Sequence, residues 1–213
     1  MRKITTIILL LVTAISLNWQ IHAQNPDIET LDRINSNEDK FLKGYSTFMS
    51  ESAIYVSFGV PAALGAISLL KHDDQMLKNA AYILAGQAVN TALTYSLKWT
   101  VDRPRPYETY PHLIEPYKIM TSSSMPSGHT SLAFATATTL TLSYPKWYVI
   151  APSYFWACSV GYSRMNLGVH YPSDVAAGAL LGAGSAYITH LVNGWLRQKT
   201  NNKKILTLQN YPF

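Results

Sequence analysis

The sequence predicts an all-α antiparallel helical bundle of five core helices, membrane-embedded, and two observations predict it. Charged residues make up 14% of the 213-residue chain and hydrophobic residues 48%, where an ordinary soluble domain carries about a quarter charged. Five stretches free of Asp, Glu, Lys and Arg then follow one another, at 53–70, 79–97, 130–145, 147–163 and 175–196. Their lengths suit a bilayer core of about 30 Å at 1.5 Å per residue. Mean hydropathy is only +0.03, because Ser, Thr, Asn and Tyr dilute the apolar runs. A water-soluble bundle is therefore the alternative architecture.

The elements can be justified in order. Met1-Arg2-Lys3 is a basic start, residues 4–17 are mostly apolar, and Ile21-His22-Ala23 offers a small residue before Gln24. Segment 1–23 thus resembles a signal peptide cleaved after Ala23, with an uncleaved signal anchor as the alternative. Residues 24–213 read as a single domain. Between 24 and 52 the chain is polar, with Leu31, Ile34, Phe41, Leu42, Tyr45, Phe48 and Met49 at about helical spacing. Such a pattern fits an amphipathic helix, either on a membrane surface or packed on the bundle.

Pro61 and Pro152 fall inside the first and fourth core stretches, where a packed membrane bundle tolerates them. The longest connection, 98–129, holds Pro104, Pro106, Pro111, Pro116 and Pro126 and is expected to be a structured loop. With the mature N-terminus outside, five crossings leave Lys71, Lys78, Lys146, Arg197, Lys199, Lys203 and Lys204 inside, as the positive-inside tendency asks. The same count brings loops 98–129 and 163–174 together on the outer face.

Composition narrows the function classes. The net charge is +5 and the isoelectric point near 9.2, yet the basic residues form no run, so nucleic acid is not an expected partner and anionic lipids or substrates are. The single cysteine, Cys158, can form no internal disulfide and is expected to pack as a small core hydrophobe.

Three clusters at the outer helix ends carry chemistry. Lys98 is followed by Arg105-Pro106; Pro126-Ser127-Gly128-His129 leads into the third core helix; Ser163-Arg164 precedes His170 and Asp174. Arg105 and Arg164 can each grip two phosphate oxygens with a planar fork, while Lys98 supplies a point charge. Ser127, Gly128 and His129 stand at a helix N-terminus, whose N–H groups and dipole favour an anion. Glycine there allows close backbone approach. Phosphoryl transfer in such a cradle needs little more than a nucleophile and an acid for the leaving oxygen, and two histidines can supply both. Taken singly, each residue also has a structural reading: Lys98 as a snorkelling side chain, Ser173 or Asp174 as an N-cap. His22, His72, His112 and His190 lack such company, and of these only His112 lies in the outer loop within reach of a substrate.

Together the three clusters resemble the three-part signature of the type 2 phosphatidic acid phosphatase and vanadium haloperoxidase superfamily, with every signature position filled between Lys98 and Asp174. The resemblance implies that His170 attacks phosphorus, Asp174 holds its ring, and His129 protonates the leaving oxygen and later activates water. It assigns the phosphoryl oxygens to Lys98, Arg105 and Arg164, with Ser127 and the Gly128 amide completing the cradle, and it implies no metal or other cofactor. Arg103 could take the place of Arg105 if the local register differs.

The implied enzyme is a lipid phosphatase of the bacterial inner membrane with a periplasm-facing site. Its candidate substrates are phosphatidic acid, phosphatidylglycerol phosphate, undecaprenyl pyrophosphate and lipid A, with headgroup choice falling to the loop from Tyr107 to Thr121. A soluble periplasmic acid phosphatase and a vanadium haloperoxidase are the alternatives. The paired histidine roles predict a bell-shaped pH profile on the mildly acidic side. Trp99, Tyr107, Tyr110, Trp147, Tyr148, Tyr162, Tyr171 and Trp195, near helix ends, fit interfacial aromatic belts, with core packing explaining part of the pattern.

Overall fold

The computed structural model describes residues 24–209, so segment 1–23 and its expected cleavage lie outside the described residues. Among the described residues every element is helical: α1 (Gln24–Asn35), α2 (Lys40–Lys71), α3 (Asp74–Val101), α4 (Pro106–Thr109), α5 (Gly128–Ser143), α6 (Trp147–Asn166) and α7 (Pro172–Gln209). Four of the five charge-free stretches lie wholly in long helices, α2, α3, α6 and α7, the stretch 130–145 outruns α5 by Tyr144 and Pro145, and Pro61 and Pro152 stand inside α2 and α6.

Helix ends depart from the apolar stretches because caps, not hydropathy, set them. The segment 24–52 is divided: Asp39 caps α2 by accepting from the N–H groups of Phe41 and Leu42 at 2.8 and 3.1 Å. The first core helix therefore begins at Lys40 and not at 53. Asp73 caps α3 in the same way, and Asp102, in the left-handed conformation at φ 41°, closes it. α3 accordingly runs past Lys98 before the chain turns into Arg103.

α5 is the central helix, packed on α2, α3, α6 and α7. Its buried positions are small, including Thr130, Ser131, Ala133, Ala135, Thr136, Ala137 and Thr139, which lets neighbouring backbones approach. The closest approach is to α7. A Cβ on Gly178 would lie 2.6 Å from the Ser127 carbonyl oxygen, and one on Gly182 would lie 2.2 Å from that of Ser131. Buried hydroxyls pair across helices, as Thr136 does with Ser57 at 2.9 Å, so few polar atoms are left unsatisfied.

α1 does not lie free on a surface. Its Ile28 and Leu31 join Tyr107, Ile114, Leu167, Val169 and Tyr171 in an apolar cluster over the site end of the bundle. Tyr107 and Tyr171 are therefore core residues there, whereas Trp99, Trp147, Tyr148 and Trp195 are exposed as belt residues would be. Cys158 corrects the sequence reading: it is exposed on α6, because Ala157 and Val160 take the inward positions.

Among the described residues two helices, Lys40–Lys71 and Pro172–Trp195, are long and apolar enough to cross a membrane, and only 22% of each apolar window is buried. Phe155, Leu180, Ile188 and Leu191 are among the large side chains left outside the bundle.

Candidate active site

Two loops bring the site together. After α3, the chain from Arg103 to Ser127 crosses the bundle end; after α6, residues 167–171 carry His170 back to α7. Gly168 makes the second turn possible: its φ is +69°, and a Cβ would lie 2.5 Å from the Glu115 carbonyl oxygen. α7 then starts at Pro172, and the Asp174 carboxylate reaches back to accept from the Tyr171 N–H at 2.9 Å. Asp174 is thus a helix cap as well as the neighbour of His170.

A cavity of about 260 Å³ is lined by Lys98, Arg105, Gly128, His129, Arg164 and His170. Six of the expected residues therefore share one pocket. Lys98 is buried, not snorkelling, and its ammonium is held by the carbonyl oxygens of Ser123 and Ser124. Arg105 donates to the Ser122 and Val169 carbonyl oxygens, each at 2.8 Å, and its NH1 lies 3.4 Å from His170 Nε2. Arg164 is fully buried and donates to Ser50 Oγ, while its Nε and NH2 make no hydrogen bond. Unspent buried donors on a cation are costly unless an anion takes them, so these two fit a phosphoryl group.

His170 is fixed from behind. Its Nδ1 is 3.6 Å from Asp174 Oδ2, too long for a direct hydrogen bond. Ser124 Oγ lies beside both, 3.5 Å from Nδ1 and donating to Asp174 at 2.5 Å. With the carboxylate on the Nδ1 side, Nε2 keeps its lone pair toward the pocket. Burial is the main reason the His170 ring is pushed down to about 3, with Arg164 and Arg105 adding to it and Asp174 opposing. His129, in the first turn of α5 ahead of its apolar stretch, is also pushed down to about 3, by burial and then by Arg164, Arg105 and Lys98.

Two expected residues are not pocket groups. The Ser127 hydroxyl turns away to Thr130 Oγ1 at 2.9 Å. Asp174 stays behind His170 and outside the pocket lining. A Cβ on Gly128 would meet only Lys98 and Thr94 side-chain atoms at 3.8 Å. Glycine there keeps pocket space open; no neighbouring backbone crowds it. His112 is exposed and outside the lining, whereas Met120 and Ser122 of the adjoining loop line it.

The register question over the two arginines has a geometric answer. Arg105 faces the pocket, and Arg103 faces the back of Asp174, donating to Oδ1 at 2.7 Å while its guanidinium lies 3.8 Å above the Tyr171 ring centroid. Arg103 in turn pairs with Asp27 of α1 at 3.0 Å, and Asp27 also accepts from the Ser173 N–H at 2.9 Å and from its hydroxyl. Ser124 and Asp27 are the members that the sequence does not reveal. Arg103 figures there only as the alternative to Arg105, two positions on.

Comparison with known proteins bears on this arrangement. The model of the PAP2 superfamily matches residues 79–198, which span all three clusters and exclude α1. The undecaprenyl-diphosphatase of Sulfolobus acidocaldarius is 32% identical over 168 residues, covering 76% of each chain. Among solved structures, Aquifex aeolicus LpxE superposes with a TM-score of 0.65 at 27% identity, covering 76% of this chain and 93% of that one. A transmembrane PAP2-type phosphatidylglycerolphosphate phosphatase from Bacillus subtilis gives 0.69 at 23% identity over 90% and 94%, a likeness of fold.

Proposed function

The chain belongs to the PAP2 superfamily as a lipid phosphatase, and from that premise we propose that it hydrolyses a lipid phosphate monoester or diphosphate through a phosphohistidine on His170. The observation that supports this reading is the His170 ring, buried in the pocket wall with Asp174 behind it and Arg105 3.4 Å from its free nitrogen. Nε2 attacks phosphorus as the bond to the lipid oxygen, or to the rest of a diphosphate, breaks; His129 gives that oxygen its proton. His129 then takes a proton from water, whose oxygen attacks the phosphohistidine and releases inorganic phosphate and the free ring. Lys98, Arg105 and Arg164 neutralise the phosphoryl oxygens, the work that a metal ion does in other phosphatases.

In this reading the bundle lies in the bacterial inner membrane with the pocket facing the periplasm. Lys71 and Lys78 at the α2–α3 turn and Lys146 between α5 and α6 stand at the opposite end, which suits a cytoplasmic side. The apolar flanks of α2 and α7 support a bilayer over a soluble bundle.

The test is phosphate release by detergent-purified protein, with EDTA throughout, from phosphatidic acid, a prenyl diphosphate, a lipid A phosphate and an aryl phosphate. Lipid turnover is expected, unchanged by EDTA, inhibited by orthovanadate as a transition-state mimic, and reduced by roughly 10³-fold or more in His170→Ala. Turnover of the aryl phosphate alone counts against a lipid substrate, and full activity in His170→Ala counts against the nucleophile.

A further inference from the structure

Beyond the phosphoryl groups the pocket continues between α2, α3 and α5. Ile54, Phe58, Thr91, Thr94, Tyr95 and Leu132 line this shaft, and Asn90 stands at its far end. Ile54, Phe58 and Tyr95 are 51%, 48% and 50% exposed, so the shaft opens sideways between α2 and α3 onto the apolar flank. A substrate with its phosphate at His170 can leave its chains on that flank.

Asn90 is the one strongly polar side chain at that depth. It is 1% exposed, and its Oδ1 accepts from Ser131 at 2.6 Å and Ser185 at 3.3 Å. Its Nδ2 has no acceptor among the described residues, although Asn90 lines the pocket. Ser131, which also lies 3.2 Å from Thr94, is three residues beyond Gly128. That places the Asn90 amide about 5 Å, roughly one helical turn, below the phosphate cradle.

The chemistry of this level differs from that above it. Lys98, Arg105 and Arg164 all stand at the phosphoryl end, so a second phosphate lowered to Asn90 would be a buried anion without a countercharge. A neutral acceptor meets the amide without that penalty. In a phospholipid the carbonyl of an acyl linkage lies a few bonds beyond the phosphate, at the depth where the amide waits. A prenyl chain would set hydrocarbon against the same N–H pair and leave it unsatisfied.

Resting on the proposed phosphatase reading, we infer that Asn90 is a specificity-determining donor for the ester or amide carbonyl of an acyl-bearing phospholipid, so that such lipids are taken in preference to prenyl phosphates. The test compares initial rates in mixed micelles on a diacylglycerol phosphate, its dialkyl ether analogue without carbonyls, and farnesyl diphosphate, with wild type and Asn90→Leu. Wild type is expected to favour the diacyl lipid over the ether by about tenfold in kcat/KM, the worth of one hydrogen bond. Asn90→Leu is expected to lose that preference and to gain rate on farnesyl diphosphate, because no N–H pair is then left unsatisfied against the prenyl chain.

Equal wild-type rates on ester and ether overturn the inference, as does a higher rate on farnesyl diphosphate than on the diacyl lipid. The wild-type comparison stands even where Asn90→Leu fails to fold. Phosphate release from farnesyl diphosphate alone removes the acyl preference and leaves the phosphatase reading intact; release from none of the three removes both.

Discussion

At the residue scale, His129 and His170 decide how the rate depends on pH. In the proposed mechanism His170 acts as the neutral ring, and since burial pushes it down to about 3, protonation would remove the nucleophile only in strongly acidic solution. In the same proposal His129 acts as the protonated ring, and its low value comes from burial beside Arg164, Arg105 and Lys98, the three cations that a bound phosphoryl group would neutralise. Substrate therefore raises the proton affinity of His129, and the alkaline limb belongs to the complex. The expected profile rises as pH falls through the proton affinity of His129 in the complex, with no acid downturn above about pH 4. That shifts the acid side of the bell expected from unperturbed histidines. A downturn near pH 6 in initial rates would contradict this assignment.

At the element scale, α1 lies outside the region that matches the family, yet it supports the site. Asp27 holds Arg103, and Arg103 holds Asp174. Asp27→Asn is expected to lower kcat by about tenfold with little change in KM, because the phosphate ligands are untouched and the backing of His170 is loosened. Arg105→Ala, removing a pocket cation, should instead raise KM as well as lower kcat. Equal kinetic effects in the two variants would sink the distinction drawn between the arginines. The α5–α7 contact is the second element on which the site depends, because it sets His129 against the end that carries Asp174. Gly182→Val would drive a side chain into the Ser131 carbonyl, and a fall in melting temperature with loss of about 1–3 kcal/mol is expected in thermal unfolding. An unchanged melting temperature would mean that the helices part freely.

At the scale of the whole molecule, the apolar flanks make a partition prediction. α2 and α7 leave most of their apolar windows outside the bundle, where a soluble core helix would bury them. Fractionation of expressing cells is expected to leave the protein in the membrane after salt and alkaline washes and to release it with detergent. Release by alkali alone would restore the soluble bundle.

The charge-free stretches foretold the five helices because burial in a bundle or bilayer excludes charge over the length of a crossing, and that exclusion is visible residue by residue. The signature clusters likewise named Lys98, Arg105, Gly128, His129, Arg164 and His170, which the fold gathers around one pocket. Spacing along the chain could not say which way a side chain turns. Tertiary structure alone turned Ser127 away, put Cys158 outside, chose Arg105 over Arg103 for the pocket, and brought Asp27 across 146 positions to Ser173, beside Asp174. The chain between these residues approaches itself only after the helices have packed. Composition and local pattern determined the elements and their chemistry; the orientation of each group came from close packing, which depends on contacts between residues remote in sequence.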